Sequence, residues 1–93
     1  MTIGILQIEL EIPDAMSLKE KRRQVLSLKD RIRRGHNVSV AEVGGLDEHR
    51  RAVLGVAMVS NDLRYVQGAL DKIVEFVKAV PTVAVDDWQI DFL

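Results

Sequence analysis

Three segments whose side chains alternate in polarity, one continuous apolar run of strand length, two segments whose apolar residues recur every three to four positions, and their order β-α-β-β-α-β predict an α+β fold. In such a two-layer sandwich, a four-stranded antiparallel sheet carries both helices on one face. At 93 residues the chain is expected to form one domain, 1–93, with a single core and little margin beyond it. A composition of 47 % hydrophobic and 29 % charged residues is that of a folded protein and argues against disorder. The absence of cysteine excludes disulfides and thiolate chemistry.

Ile3 to Ile12 has period two: Leu6, Ile8, Leu10 and Ile12 point one way, and Gln7, Glu9 and Glu11 the other. Ile3 and Ile5 make the start of the outer face apolar, which hints at cover there. With no basic n-region or small-residue cleavage site, this segment reads as a strand and not as a signal peptide. Pro13-Asp14 ends it. Ser17, with Glu20 three residues on, is the capping-box opening of a first helix, and Gly35 is expected to close it. Leu18, Val25, Leu28 and Ile32 form its apolar stripe. Asn37 to Val43 is a second strand, followed by a loop from Gly44-Gly45 to His49. Arg51 to Val59 is apolar at nearly every position, the pattern of a central strand buried on both faces. Gly55 and Ala57 share one of those faces and would admit close packing there.

Ser60-Asn61-Asp62 supplies the cap for a second helix over about Leu63 to Val80, which Pro81 stops. Leu63, Val66, Leu70, Ile73, Val74 and Val77 face the core; Tyr65, Ala69, Phe76 and Val80 widen the apolar arc beyond what one sheet face requires. Val83 to Phe92 is the last strand, with Ala84, Trp88, Ile90 and Phe92 expected on one side and Asp87, Gln89 and Asp91 on the other. Together these elements predict a ferredoxin-like plait with sheet order 4-1-3-2.

Charge is unevenly distributed. Ser17 to Gly35 holds eight of the thirteen Lys and Arg residues but only two of the fourteen Asp and Glu residues, so it carries +6 while the rest of the chain carries −7. Glu20 and Asp30 are too few to neutralise it. Lys19, Arg22, Arg23, Lys29, Arg33 and Arg34 gather on one side of the helix around Leu26, and cations on one helix face suit the phosphates of a nucleic-acid backbone. The competing reading is a solvated helix whose charges serve solubility. The sheet offers no rival, because strands one and three contain none of the aromatics on which RNA-recognition modules stack bases. The apolar outer face of strand three and the wide arc of helix two instead suit self-association, so a homodimer or larger homo-oligomer is expected.

Signs of catalysis are absent. His36 and His49 lie in loops without metal-ligand spacing, Asp47-Glu48-His49 has the composition of a turn, and Gly44-Gly45 precedes a strand and lacks the lysine of a phosphate loop. Asp86-Asp87 are placed to pair with helix-one arginines of the same or a neighbouring chain. No nucleophile has an identifiable base, so no enzymatic activity, cofactor or metal is expected; a metal at Asp47, His49 or Asp86 would reverse that. No apolar run approaches the roughly 20 residues of a membrane span, which makes a cytoplasmic, non-membrane protein the expectation.

Ser17-Leu18-Lys19-Glu20-Lys21-Arg22-Arg23, shortly after a strand and a proline, resembles the opening signature of the YlxP-like family of small bacterial proteins, a domain of unknown function. Asn37-Val38-Ser39-Val40-Ala41-Glu42-Val43 and Val59-Ser60-Asn61-Asp62 resemble its second and third marked segments, in the right order over nearly the whole chain. The resemblance carries the family's signature onto Ser17, Lys19, Lys21, Arg22, Asn37, Ser39, Glu42, Asn61 and Asp62. It also implies RNA or the ribosome as partner, since the family's genes tend to neighbour translation-initiation and ribosome-maturation genes. The expected nucleic-acid contacts are therefore Lys19, Lys21, Arg22, Arg23, Lys29, Arg33 and Arg34. The alternative is a homo-oligomeric regulatory module that binds a small anionic ligand or a protein partner, with its pocket near the Gly44 to Arg51 loop.

Overall fold

In a computed structural model describing residues 1–93, the elements are β1 (Thr2–Glu11), α1 (Leu18–Gly35), β2 (Ser39–Gly44), β3 (Arg51–Ser60), α2 (Leu63–Lys78) and β4 (Ala84–Phe92). The sheet order is β2-β3-β1-β4, with every neighbouring pair antiparallel, as the ferredoxin-like reading requires. α1 lies over β2, and α2 over β1, β3 and β4. Between the layers Leu6, Ile8, Leu10, Leu54, Val56 and Met58 of the sheet meet Val25, Leu28, Ile32, Val66, Leu70, Ile73 and Val77 of the helices.

The helix ends follow local chemistry. The Ser17 hydroxyl accepts from the Glu20 amide, and the Glu20 carboxylate accepts from the amide of Met16, one residue earlier than a strict capping box. Asp62 accepts from the amides of Arg64 and Tyr65. Gly35 closes α1 as expected, without a left-handed turn. It is the last helical residue, and the chain leaves through an extended His36 whose amide still donates to Ile32. The only left-handed residue is Gly45, at φ 70° in the β2–β3 turn. α2 stops at Lys78, short of Val80, because a residue before proline is pushed out of helical geometry.

Two β-irregularities change which side chains face inward. Between Glu9 and Leu10 the partner on β4 jumps from Asp87 to Val85, so Asp86 is the extra residue of a bulge. That shift turns Val85 toward the core and leaves Ala84 exposed, against the uniform alternation expected for the last strand. A second shift lies between Glu42 and Gly44 on β2. β3 is central, but the helices cover only one of its faces. Ala52, Leu54, Val56 and Met58 are buried beneath them; on the other face Val53 is buried and Gly55 half-buried, whereas Ala57 and Val59 are exposed. The expectation of burial on both faces holds at Val53 but fails at Ala57 and Val59, because this fold has two layers and β3's continuous apolar run does not by itself recruit a third.

The wide arc of α2 is mostly consumed within the chain. Ala69 is buried in the core, as is Val80 just past the helix end; Phe76 packs at the core margin under Arg31, whose guanidinium stands 5.1 Å from its ring centre. Leu63 and Tyr65 remain exposed.

Gly4 marks the closest approach of sheet and helix, since a Cβ there would collide with Val66 and press on Leu70. Gly4→Ala is expected to destabilise the protein by about 1–3 kcal/mol through overpacking, and Gly4→Val by more. Urea unfolding monitored by circular dichroism checks this; unchanged midpoints would show that α2 can slide away freely.

Candidate functional site

α1 divides into a buried row and a cationic surface. The row is Lys21, Val25, Leu28 and Ile32, spaced i, i+4, i+7 and i+11 so that all four point at the sheet. Lys21 is 0 % exposed and is the only buried charged side chain. Its ammonium donates to Glu42 Oε2 at 2.6 Å, to the Gly45 carbonyl at 2.8 Å and to the Arg51 carbonyl at 3.3 Å. Three donors thus meet three acceptors, and no buried side-chain nitrogen or oxygen in the chain lacks a partner.

This geometry removes Lys21 from the expected nucleic-acid contacts. A cation inserted between α1 and the β2–β3 turn cannot reach a phosphate outside. Two features of the sequence point to it: Lys21 falls in register with the apolar stripe, and Glu42 shares the inward side of β2 with Val40. Opposite charges on two inward faces form a buried pair or do not fold.

The other expected residues lie outside the core. Lys19, Arg22, Arg23, Arg33 and Arg34 are exposed and Lys29 is half-buried, with Leu26 exposed in their midst. Arg33 is partly committed, donating to Asp30 at 3.3 Å and to the Val40 carbonyl at 3.0 Å, where it covers the free edge of β2. None of the chain's five ion pairs takes up Lys19, Arg22, Arg23, Lys29 or Arg34. From Lys19 to Arg34 these cations span about 22 Å of helix.

The acidic side chains lie elsewhere. Glu9 and Asp87 stand opposite each other on the uncovered sheet face, with Glu11 and Asp91 further along it. Arg51 bridges Glu9 and Glu48 at 3.4 and 3.3 Å. Asp87 accepts from the amide of Trp88 and makes no ion pair with helix-one arginines in this chain. Asp47, Glu48 and His49 are exposed on the β2–β3 turn, and His36 caps α1. No helix is long and apolar enough to cross a membrane.

Residues 3–90 match the model of a family described as Protein of unknown function (DUF503). The chain belongs to this family. It is also 33 % identical over 81 residues to the uncharacterized protein YlxP of Bacillus subtilis (strain 168), an alignment covering 87 % of this chain and 88 % of that protein. Within this DUF503 chain, several signature-like positions have structural duties: Ser17 and Asp62 are helix caps, and Lys21 and Glu42 pair with each other. The side chains of Lys19 and Arg22 make no hydrogen bond or ion pair inside the chain.

Breaking the buried pair separates its role from binding. Lys21→Met strands the Glu42 carboxylate, only 12 % exposed, and two carbonyls, and should destabilise the protein by about 3–5 kcal/mol. Lys21→Met with Glu42→Leu should recover much of that loss. Chemical unfolding of the two single variants and the double variant measures the coupling, and strict additivity would rule it out.

Proposed function

We propose that this protein is a non-enzymatic RNA- or ribosome-associated factor that docks through the outer face of α1. The observation that carries the reading is that six cations of one helix lack carboxylate partners in a chain whose net charge is −1: Lys19, Arg22, Arg23, Lys29 and Arg34 gather on one side, and the sixth, Arg31, lies over Phe76. Like charges held side by side repel one another, and an anionic partner relieves that repulsion. A rigid helix presenting them at fixed spacing matches a phosphate backbone and reads little sequence, because phosphate contacts position without specifying bases. A cytoplasmic location goes with this reading.

Binding to a single-stranded RNA should weaken steeply with salt. Arg22→Gln with Arg23→Gln should lower the slope of log affinity against log salt by about 1.4, since each phosphate that a side chain neutralises adds roughly 0.7 on a single strand. Fluorescence anisotropy from low to high salt checks both, and salt-independent binding would remove the proposal.

The uncovered sheet face favours a second reading, self-association. Val59 is 58 % and Val43 55 % exposed, and Ile3, Ile5, Gly55 and Ala57 lie between or beside them. Contiguous apolar surface of this kind is relieved by a second copy. Sedimentation should show a dimer or larger species at micromolar concentration that Val59→Asp converts to monomer; a monomer at every concentration would exclude this use of the face.

A further inference from the structure

Where the C-terminal end of α1 passes the start of α2, the helices leave a groove of about 340 Å³ lined by Gly35, His36, Arg64, Tyr65, Gly68 and Lys72. Its two glycines have no conformational or packing reason to be there. Neither has a positive φ, and a Cβ on either would meet nothing within 4 Å. Gly68 sits within α2, where glycine is less favourable than alanine by roughly a factor of five in helix equilibrium. Both line the groove, and a bulky side chain at either position would occupy part of it.

The walls carry complementary chemistry. Tyr65 is 60 % exposed and presents an aromatic ring to solvent. Arg64 and Lys72 belong to no ion pair, nor does Arg34, which occupies the same last turn of α1 as Gly35. The nearest carboxylates in sequence are engaged elsewhere: Asp62 caps α2, and Asp71 accepts from Gln67. An exposed aromatic ringed by unpaired cations is what an unstacked base and its phosphates require. The volume lies at the lower end of the roughly 300–1,000 Å³ of small-ligand sites, enough for one nucleotide.

We propose that this groove is a nucleotide subsite for single-stranded RNA, in which one unstacked base lies on Tyr65 above Gly68 and Arg64 and Lys72 take the adjoining phosphates. The inference rests on the nucleic-acid reading above and adds to it a strand preference, single-stranded over duplex, and a site on α2.

The test uses the full chain with a fluorescein-labelled uridine 12-mer and an RNA duplex of the same length. Tyr65→Ala should weaken single-strand binding by roughly 5- to 150-fold, the range for losing one base–aromatic stack. Tyr65→Phe should retain it, and duplex affinity should not change. Gly68→Leu, which fills the groove, should produce a similar loss with an unaltered or raised melting temperature. Wild-type single-strand binding by both Tyr65→Ala and Gly68→Leu would overturn the subsite; if Arg22→Gln with Arg23→Gln still binds poorly, the α1 reading survives. Binding of neither RNA by the unaltered protein would overturn both. Equal capture of a poly-glutamate peptide with the same Tyr65 dependence would assign the groove to an acidic protein segment and overturn the nucleotide assignment.

Discussion

The ammonium of Lys21, held by Glu42 and the carbonyls of Gly45 and Arg51, joins the helical layer to the turn between β2 and β3. A buried cation with three fixed acceptors tolerates little displacement, because each broken bond leaves a charge or a carbonyl unsolvated. The contact therefore fixes the rotation of α1 about its axis as well as its position. With Val25, Leu28 and Ile32 held in the same row, Lys19, Arg22 and Arg23 have no direction but outward. The turn is equally constrained. Gly45 is left-handed, and its carbonyl serves Lys21 and the Glu48 amide at once. One electrostatic contact thus orders a helix, a turn and a cationic face.

The separation of charge follows from the two-layer architecture. Carboxylates at every second residue of β1 are carried to the uncovered sheet face, where those of β4 join them: Glu9 faces Asp87, and Asp91 lies opposite Ile5. The cations ride on α1 on the other side of the sheet. The molecule is electrically two-sided, with an apolar area around Val43, Ala57 and Val59 set beside the acidic strip. Few neutralising pairs can form across the layers, and the exposed ion pairs that do form, such as Arg33 with Asp30, contribute little. The arrangement places the free cations on the helical side and the exposed apolar side chains Val43, Ala57 and Val59 on the sheet side.

Much of the fold was legible in the sequence because it is written in local periodicity. Strand and helix periods place all six elements within a few residues, and Ser17, Asp62 and Pro81 mark helix ends through local bonds or steric exclusion. The misreadings share a different origin. The run of apolar residues in β3 suggests cover on both faces, but whether a third layer exists is not a local property, and Ala57 and Val59 stay exposed. Ala84 and Val85 exchange faces because a bulge at Asp86 is visible only as a register shift against β1. By charge Lys21 looks like its surface neighbours; only its register with Val25, Leu28 and Ile32 sets it apart, and the carboxylate that holds it lies 21 residues along the chain.

By itself the sequence determined the order of elements, the segregation of +6 into one helix and the absence of stacking aromatics on the central strands, all properties of residues near one another in the chain. Tertiary structure decided which cations are free and which are used. It buried Lys21, committed Arg33 to the edge of β2, and brought Gly35 and His36 beside Tyr65, Gly68 and Lys72 to form one groove. The physical reason is that solvation and pairing of a charge depend on what the whole chain places within a few ångströms of it, and that distance is set only when the layers meet.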